Sequence, residues 1–228
     1  MRIAWLAIPL AIALLTASSI ESEEIIDLPK PTHRGMSVEE ALMKRRSIRS
    51  YSEDSLSLWE LSMLLFAAQG ITGESGERKL RTAPSAGATY PIEVYALINR
   101  VEGIKEGIYQ YIPEEHKLKV LKPGYFGSDL RNACLGQSMP QEAPLSIILT
   151  SVAKRTTRVY GEERGMRYIY MEAGHICQNI CLEATSLGLG SVPVGAFYDD
   201  MVTKLLGVDK DRESAIYVVC IGHPRGKE

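Results

Sequence analysis

Residues 81–98 have the sequence RTAPSAGATYPIEVYALI, a loop of small side chains that runs directly into an apolar segment. The alanine, glycine and serine residues leave the loop backbone open to close approach by a flat ligand. Pro84 and Pro91 stiffen the two ends of the loop. Ile92–Ile98 is apolar and rich in β-branched residues, which predicts a strand. Taken alone, the loop favours a simple tight turn that enters this strand.

Helix and strand patterns continue on both sides of this stretch. Ser37 and Ser57 each precede a glutamate by three residues, which predicts two capped helices, over 38–44 and from 58 to about 69. Apolar residues recur at three- and four-residue steps from Ile169 to Leu187 and predict a long core helix. A further helix is predicted over 199–206, and the polar residues 71–81 predict a mobile loop. Strands are also predicted at 107–111, 117–121, 145–151, 191–197 and 215–222. The predicted fold class is α+β, with one mixed central sheet flanked by helices.

Composition is that of an ordinary globular protein. The 228 residues are 45% hydrophobic and 24% charged, and the net charge is −2. This balance provides no basic field for nucleic acid and no polybasic membrane patch, and it favours a small-molecule or protein partner. The four cysteines have no zinc-site spacing, so we predict buried free thiols and no metal site.

The N-terminus has a different character from the rest of the chain. Met1-Arg2 precedes an apolar run, Ile3–Leu15, and Ala17 with Ser19 form a small-x-small pattern. These features predict a signal peptide or N-terminal anchor over 1–19, a linker over 20–36 and a single domain over 37–228. The protein would then be exported, to the periplasm or the extracellular space, or anchored to a membrane through its N-terminus. The alternative is a buried N-terminal helix of the fold.

Two further segments carry chemical groups of interest. Arg45-Arg46-Ser47-Ile48-Arg49 places three guanidinium groups within five residues, a pattern that can bind a phosphate. Taken alone it is more typical of a solvated helix face. Val192–Phe197 ends a predicted strand with a glycine, where a backbone N–H could meet a ligand. The alternative there is simple strand termination.

The order and spacing of these three stretches resemble the nitroreductase superfamily, and within it the SagB-type, or thiazole/oxazole-forming, dehydrogenase branch. The resemblance covers roughly residues 37 to 224. Four more motifs contribute to it, namely Gly107–Tyr111, Glu172–His175, Gln178-Asn179 and Val219–Pro224. The resemblance implies a nitroreductase-like fold and a homodimer that holds FMN at the subunit interface.

The resemblance also implies a role for each matching position. Arg45 and Arg46 would hold the FMN phosphate, Ser47 the ribityl chain or phosphate, and Arg49 the N1–O2 edge of the ring. The loop 84–88 would line the ring from the partner subunit, and the backbone N–H of Val194 or Gly195 would face N5. The residues assigned to FMN are Arg45, Arg46, Ser47, Arg49, Pro84, Ser85, Ala86, Gly87, Ala88, Val194, Gly195, Ala196 and Arg225.

Two positions depart from the family pattern. Many nitroreductases carry asparagine where this chain has Ala88, so one polar flavin contact is missing or replaced. Azoline-oxidising members carry a Lys-Tyr pair before the long helix, and here Val159 replaces the lysine. Tyr160 is retained and is the candidate general acid or base.

The resulting functional prediction is an FMN-dependent oxidoreductase that moves hydride between NAD(P)H and a small conjugated acceptor. The chain has no G-x-G-x-x-G turn that opens a helix, so no dedicated dinucleotide-binding domain is expected. Two alternatives stay open. One is a SagB-type flavin dehydrogenase or oxidase that acts on a peptide or other organic substrate, and the other is a non-catalytic exported flavin-binding protein.

Overall fold

The computed structural model describes residues 24–32 and 35–226, so the predicted signal peptide or anchor over 1–19 lies outside the described residues. In chain order the elements are β1 (Ile25–Asp27), α1 (Val38–Lys44), α2 (Leu58–Gln69), β2 (Ile71–Ser75), β3 (Arg78–Arg81), β4 (Ile92–Ile98), β5 (Gly107–Ile112), β6 (Lys117–Pro123), α3 (Gly127–Ala133), α4 (Met139–Glu142), β7 (Leu145–Ser151), α5 (Lys154–Tyr160), α6 (Glu162–Ser186), β8 (Gly190–Val194), α7 (Asp199–Leu206) and β9 (Ser214–Gly222). Ala86–Ala88 adds one 3₁₀ turn.

A seven-stranded sheet in the order β1-β6-β5-β4-β7-β9-β8 forms the centre of the fold. Its strand ladders are all antiparallel, and the parallel contacts are isolated bridges such as that between Ser47 and Ser191. The central pair, β4 and β7, is in register from Ile92 opposite Ser151 to Ile98 opposite Leu145. The predicted α+β class and nitroreductase-like fold are confirmed, but the central sheet is antiparallel and not mixed as predicted.

Helices cover both faces of the sheet because its strands are apolar on both sides. One face packs against α2 and α6, and the other packs against α3 and α7. The predicted stripe on α6 is buried, with Ile169, Ile176 and Ile180 fully covered. At the start of α2, Ser57 and Glu60 form the complete capping box that the sequence predicts. Among the described residues, no helix is both long and apolar enough to cross a bilayer.

Several segments differ from the sequence-based predictions. Residues 71–81 are not a mobile loop but form the antiparallel hairpin of β2 and β3. Gly76 lies in its turn at φ 62°, a left-handed conformation that glycine adopts without strain. Helices α3, α4 and α5 fall where no helix was predicted. Strand β8 ends at Val194, so Gly195 and Ala196 lie beyond the strand. Within the predicted linker, Ile25–Asp27 pairs with β6 as an edge strand.

Candidate functional site

The segment after α1 is fixed tightly against the sheet. The Tyr51 hydroxyl is buried and lies 2.8 Å from the Ile48 carbonyl oxygen and 3.0 Å from that of Cys220. The Ile48 amide donates to the Ser191 carbonyl at 3.0 Å. Gly190 permits this approach, because a Cβ at that position would lie 2.7 Å from the Ile48 Cβ. Residues 45–49 are therefore held in one place by the ends of β8 and β9.

Arg45 and Arg49 in this segment have uncommitted guanidinium groups. Neither side chain has an ion pair or hydrogen bond within the part of the chain that the structure describes. Arg46 differs, because its Nη1 donates to the carbonyl oxygens of Met43 and Arg45, at 3.2 and 2.7 Å. It therefore caps the end of α1. Arg225 donates from Nε to the Tyr51 carbonyl at 3.1 Å, which places it beside the segment.

The C-terminal half of α6 lies next to this arginine segment. Cys177 and Cys181 are buried there as free thiols, one helical turn apart. The other two cysteines are also buried free thiols. The hydrogen bond from Cys177, the nearby Ser191 hydroxyl and the Arg45 guanidinium lower the pKa of the Cys181 thiol. Arg45, Ser191 and this half of α6 therefore form one neighbourhood, joined to Ser47 through its bridge with Ser191.

The small-residue loop has an unusual backbone. Ala88 and Tyr90 adopt φ values of 52° and 42°, and Gly87 adopts 61°. Side chains other than glycine reach this region only at a cost, so surrounding contacts must hold the loop. The Ser85 hydroxyl accepts the Tyr90 N–H at 2.9 Å, and Arg155 Nη1 donates to the Tyr90 carbonyl at 2.9 Å. The loop is thus preorganised by the protein.

Tyr160 lies at the back of the same loop. A Cβ on Gly87 would lie 2.5 Å from its hydroxyl oxygen, so the phenol packs directly against the loop backbone. Its ring meets Tyr168 edge to face, with centroids 5.0 Å apart. The structure therefore brings the candidate acid or base together with loop 84–88.

A cavity of 270 Å³ opens beside this loop and contains the carboxyl group of Glu172. It is lined by Pro84, Ser85, Ala86, Tyr168, Met171, Glu172 and His175. Glu172 is 3% exposed, and its Oε1 has no hydrogen-bond partner among the described residues. Burial raises the pKa of Glu172 to about 7, although Ser85 and Gln69 oppose the shift. A glutamate among the apolar positions of a core helix is the signal that could have identified it.

The end of β8 is open to a ligand at Gly195. The atom nearest to a Cβ built there belongs to the Tyr217 ring, at 3.9 Å. Val194 is buried, whereas Gly195 and Ala196 are exposed. The Ala196 carbonyl accepts a hydrogen bond from Gln137 Nε2 at 3.0 Å, which fixes the segment just beyond the strand.

One chain does not gather all of these residues around a single point. The arginine segment lies by Cys181, whereas loop 84–88 lies by Glu172, and nine residues of α6 separate the two. At 1.5 Å per residue this separation is about 14 Å along the helix. The predicted site residues therefore fall into two groups: an arginine group (residues 45–49, 190–196 and 225) and a loop group (residues 84–90, Tyr160 and Glu172).

Comparison with known proteins identifies the family. A model of the nitroreductase family matches residues 42–223. The chain belongs to the nitroreductase family. A Methanocaldococcus jannaschii protein assigned by name to the nitroreductases, MJ1384, is 45% identical over 185 residues, which cover 81% of this chain and 91% of that protein. The crystal structure of a Ralstonia eutropha protein, also assigned by name to the nitroreductases, matches with a TM-score of 0.78 and 27% identity over 90% of this chain and 91% of that one.

A further relative is named for toxin processing. The trifolitoxin-processing protein TfxB of Rhizobium leguminosarum bv. trifolii is 28% identical over 172 residues. The match covers 72% of this chain and 46% of TfxB, so the chain spans about half the length of that relative. The predicted resemblance to the nitroreductase superfamily and its SagB-type branch is confirmed. As a member of the nitroreductase family, the 228-residue chain is itself an oxidoreductase.

Proposed function

We propose that this protein is an FMN-dependent oxidoreductase that moves hydride between NAD(P)H and a small conjugated acceptor, and that it acts as a homodimer. Family membership supports the oxidoreductase class. The observation that carries the cofactor assignment is the pair of uncommitted guanidinium groups of Arg45 and Arg49, held on a segment that Tyr51 and Gly190 fix in place. Cations on a fixed backbone segment, with no protein anion paired to them among the described residues, can bind a phosphate.

The remaining groups fit the other parts of FMN. Ser47 presents a hydroxyl beside the arginines, and the open approach at Gly195 leaves room for the edge of a flat ring. The small side chains of loop 84–88 can cover a ring face. Bound FMN would supply two-electron hydride chemistry. The chain would bind the phosphate, orient the ring and place the Arg49 cation where negative charge develops at the ring edge.

The proposed dimer follows from the separation of the arginine and loop groups along α6. On its outward face, α6 carries an exposed stripe that consists of Tyr170, Met171, Gly174, His175 and Gln178. Tyr170 and Met171 are 58% and 52% exposed, a large exposure for apolar side chains. Gly174 sits at the centre of the stripe with nothing within 4 Å of a Cβ built on it, so a second helix could approach closely. Pairing through this stripe would bring the arginine group of one copy towards the loop group of the other.

The experiment that tests the cofactor site is the double variant Arg45→Ala, Arg49→Ala. Each charge-assisted hydrogen bond lost is worth about 1.5–3 kcal/mol, so FMN affinity should fall at least a hundredfold. Lys44→Ala is the matched control, because Lys44 lies next to Arg45 and forms an ion pair with Glu40. Fluorescence titration with FMN measures both. Equal affinity in the double variant and the wild type would contradict the phosphate assignment.

A second candidate function is oxidation of a bound peptide or other organic substrate. The toxin-processing relative and the position of Tyr160 against loop 84–88 favour it. The two functions differ in which compound reduces the flavin. Anaerobic bleaching of the flavin absorbance by NADH or NADPH supports the reductase, and bleaching by an azoline peptide alone supports the oxidase. A flavin that is reduced neither by NAD(P)H nor by the peptide would support a non-catalytic flavin-binding protein.

We also propose that the N-terminal segment directs export or anchoring, as its sequence predicts. Cleavage after Ser19 would leave a mature chain that begins at Ile20. Mass spectrometry of the native protein distinguishes the cleaved form from an intact anchor, and an intact chain in the cytosolic fraction would contradict the proposal.

A further inference from the structure

The cavity beside loop 84–88 contains a carboxyl group to which the function proposed above gives no role. Glu172 lies on the side of α6 that faces the loop, and one of its oxygen atoms has no partner among the described residues. A buried carboxyl group without a full set of hydrogen bonds is costly to keep and is therefore a candidate functional group.

Charged and polar groups from three neighbouring segments approach this carboxyl. Gln69 approaches from the end of α2, Arg81 from the end of β3 and Ser85 from the loop. The Arg81 guanidinium is committed elsewhere, since it pairs with Glu114 at 2.7 Å and donates to the Gln69 Oε1 at 3.3 Å. The Arg81 charge lowers the pKa of Glu172, but burial raises it by more, so the protonated carboxyl is favoured.

His175 and Tyr168 of α6 also line the cavity. His175 is exposed in one chain but lies on the α6 stripe that the proposed dimer covers, so the water available to Glu172 is that inside the 270 Å³ cavity. The group can therefore exchange a proton with water in the cavity while it remains shielded from bulk water.

Ser85 joins the carboxyl to the ligand side of the loop. The Ser85 oxygen already accepts the Tyr90 N–H at 2.9 Å, which leaves its own O–H free to donate. The same hydroxyl lies beside Glu172 and favours the charged form of that group. A hydroxyl that contacts both a buried acid and the ligand-facing loop can pass a proton between them.

We propose that Glu172 supplies the proton that accompanies hydride transfer in this site and that the Ser85 hydroxyl relays it. An acceptor that takes a hydride from the reduced cofactor needs one further proton for neutral reduction. The Ser85 hydroxyl gives its proton to the acceptor and takes one from the Glu172 carboxyl, which becomes a carboxylate. A proton from a water molecule in the cavity then restores the acid. The electrons come from NAD(P)H, so this inference rests on the proposed function.

The test compares Glu172→Gln with Glu183→Gln, a matched control on the same helix. Glu183 is a partly buried glutamate whose Oε1 has no hydrogen-bond partner among the described residues, but it lines a different cavity between α1, α2 and α6. NAD(P)H-driven reduction of 1,4-benzoquinone is measured from about pH 5 to 9, together with the midpoint potential of the bound flavin and the FMN dissociation constant.

We expect wild-type kcat/KM to fall above about pH 7, as the acid loses its proton. Glu172→Gln should reduce kcat/KM by about a hundredfold at low pH, because a general acid contributes a factor of about 10²–10⁴ to the rate. The decrease in kcat/KM above about pH 7 should be absent in this variant. The potential of the bound flavin should lose its change of slope near neutral pH in the same variant. Ser85→Ala should share the loss of rate, Ser85→Thr should restore it, and Glu183→Gln should match the wild type.

Identical pH profiles and potentials in Glu172→Gln and the wild type would overturn the proton role while the FMN assignment stands. A wild-type protein that binds no FMN would overturn both. Loss of FMN affinity in Glu172→Gln, with unchanged pH dependence in the protein that remains loaded, would identify Glu172 as a structural support of the loop and would also overturn the proposal.

Discussion

The hydroxyl oxygen of Tyr51 lies 2.8 Å from the carbonyl oxygen of Ile48, three residues earlier in the chain. It also lies 3.0 Å from the carbonyl oxygen of Cys220 on β9. One buried phenol therefore fixes the turn of the arginine segment and joins it to the sheet. Burial is also the main cause that raises the pKa of Tyr51 above its ordinary value, so the hydroxyl stays protonated and available as a donor.

Replacement of Tyr51 by phenylalanine should destabilise the protein and loosen the arginine segment. The loss of the hydroxyl leaves buried carbonyl oxygens without their donor, at a cost of about 1–3 kcal/mol. Urea unfolding of Tyr51→Phe measures this cost, and FMN affinity should fall with it. Tyr125→Phe is the control, because Tyr125 is 44% exposed. Unchanged unfolding of Tyr51→Phe would show that the hydroxyl does not hold the segment.

Substitution of Gly190 by alanine should displace the same segment from the other side. The new Cβ would lie 2.7 Å from both Cβ and Cγ2 of Ile48, closer than packed carbon atoms approach. Overpacking of this kind costs about 1–3 kcal/mol. Gly174→Ala provides the contrast, since nothing lies within 4 Å of its Cβ and alanine is a better helix former than glycine. Thermal unfolding that ranks Gly190→Ala at or above the wild type would contradict the packing described here.

The sequence predicts elements well where a strong local pattern coincides with burial. Ser57 and Glu60 locate the start of α2, and the apolar steps from Ile169 locate α6. The hairpin of β2 and β3 could not be predicted in this way, because its strands are polar on both faces and show no alternation. The separation of the two site groups along α6 is a property of the folded chain, so neither motif alone predicts it. The polar neighbours of Glu172 come from three separate segments, α2, β3 and loop 84–88, which sequence spacing does not reveal.

The substitution Ala88→Asn should be tolerated and should strengthen FMN binding. Ala88 adopts φ 52°, a conformation that asparagine reaches more readily than alanine. Many nitroreductases have asparagine at this position, where its amide can contact the flavin. The stability of the variant should equal or exceed that of the wild type by up to about 1 kcal/mol. Ala86→Asn, two residues earlier and outside the left-handed region, is the control. A large loss of stability in Ala88→Asn would show that the loop backbone differs from the one described.

Ionisation of Glu172 should make the protein less stable as the pH rises. Burial raises the folded-state pKa of Glu172 to about 7 from an ordinary value of 4.5, so the folded protein holds a proton that the unfolded chain releases. Stability from this group is complete below pH 4.5 and is lost as the pH rises through about 7. The loss amounts to about 3 kcal/mol.

Glu172→Gln removes this dependence, because the amide does not titrate. Its unfolding free energy relative to the wild type should therefore increase between about pH 5 and 8, by an amount of this order. Glu163→Gln is the control, since the side chain of Glu163 is 93% exposed. A difference between Glu172→Gln and the wild type that stays constant with pH would contradict the raised pKa.

A negative charge at the centre of the exposed α6 stripe should separate the proposed dimer. Gly174 has open space around it within one chain, so Gly174→Glu should fold normally as a monomer. In a dimer paired through this stripe, two glutamates would be buried close together without partners, at a cost of several kcal/mol.

Sedimentation velocity should show a dimer for the wild type and a monomer for the variant, with unchanged circular dichroism. Lys210→Gln, on an exposed turn, changes the net charge by the same single unit and is the control. Because each flavin would need the arginine group of one copy and the loop group of the other, the monomer should also lose FMN. A Gly174→Glu protein that stays dimeric with bound flavin would show that the subunits pair through another surface.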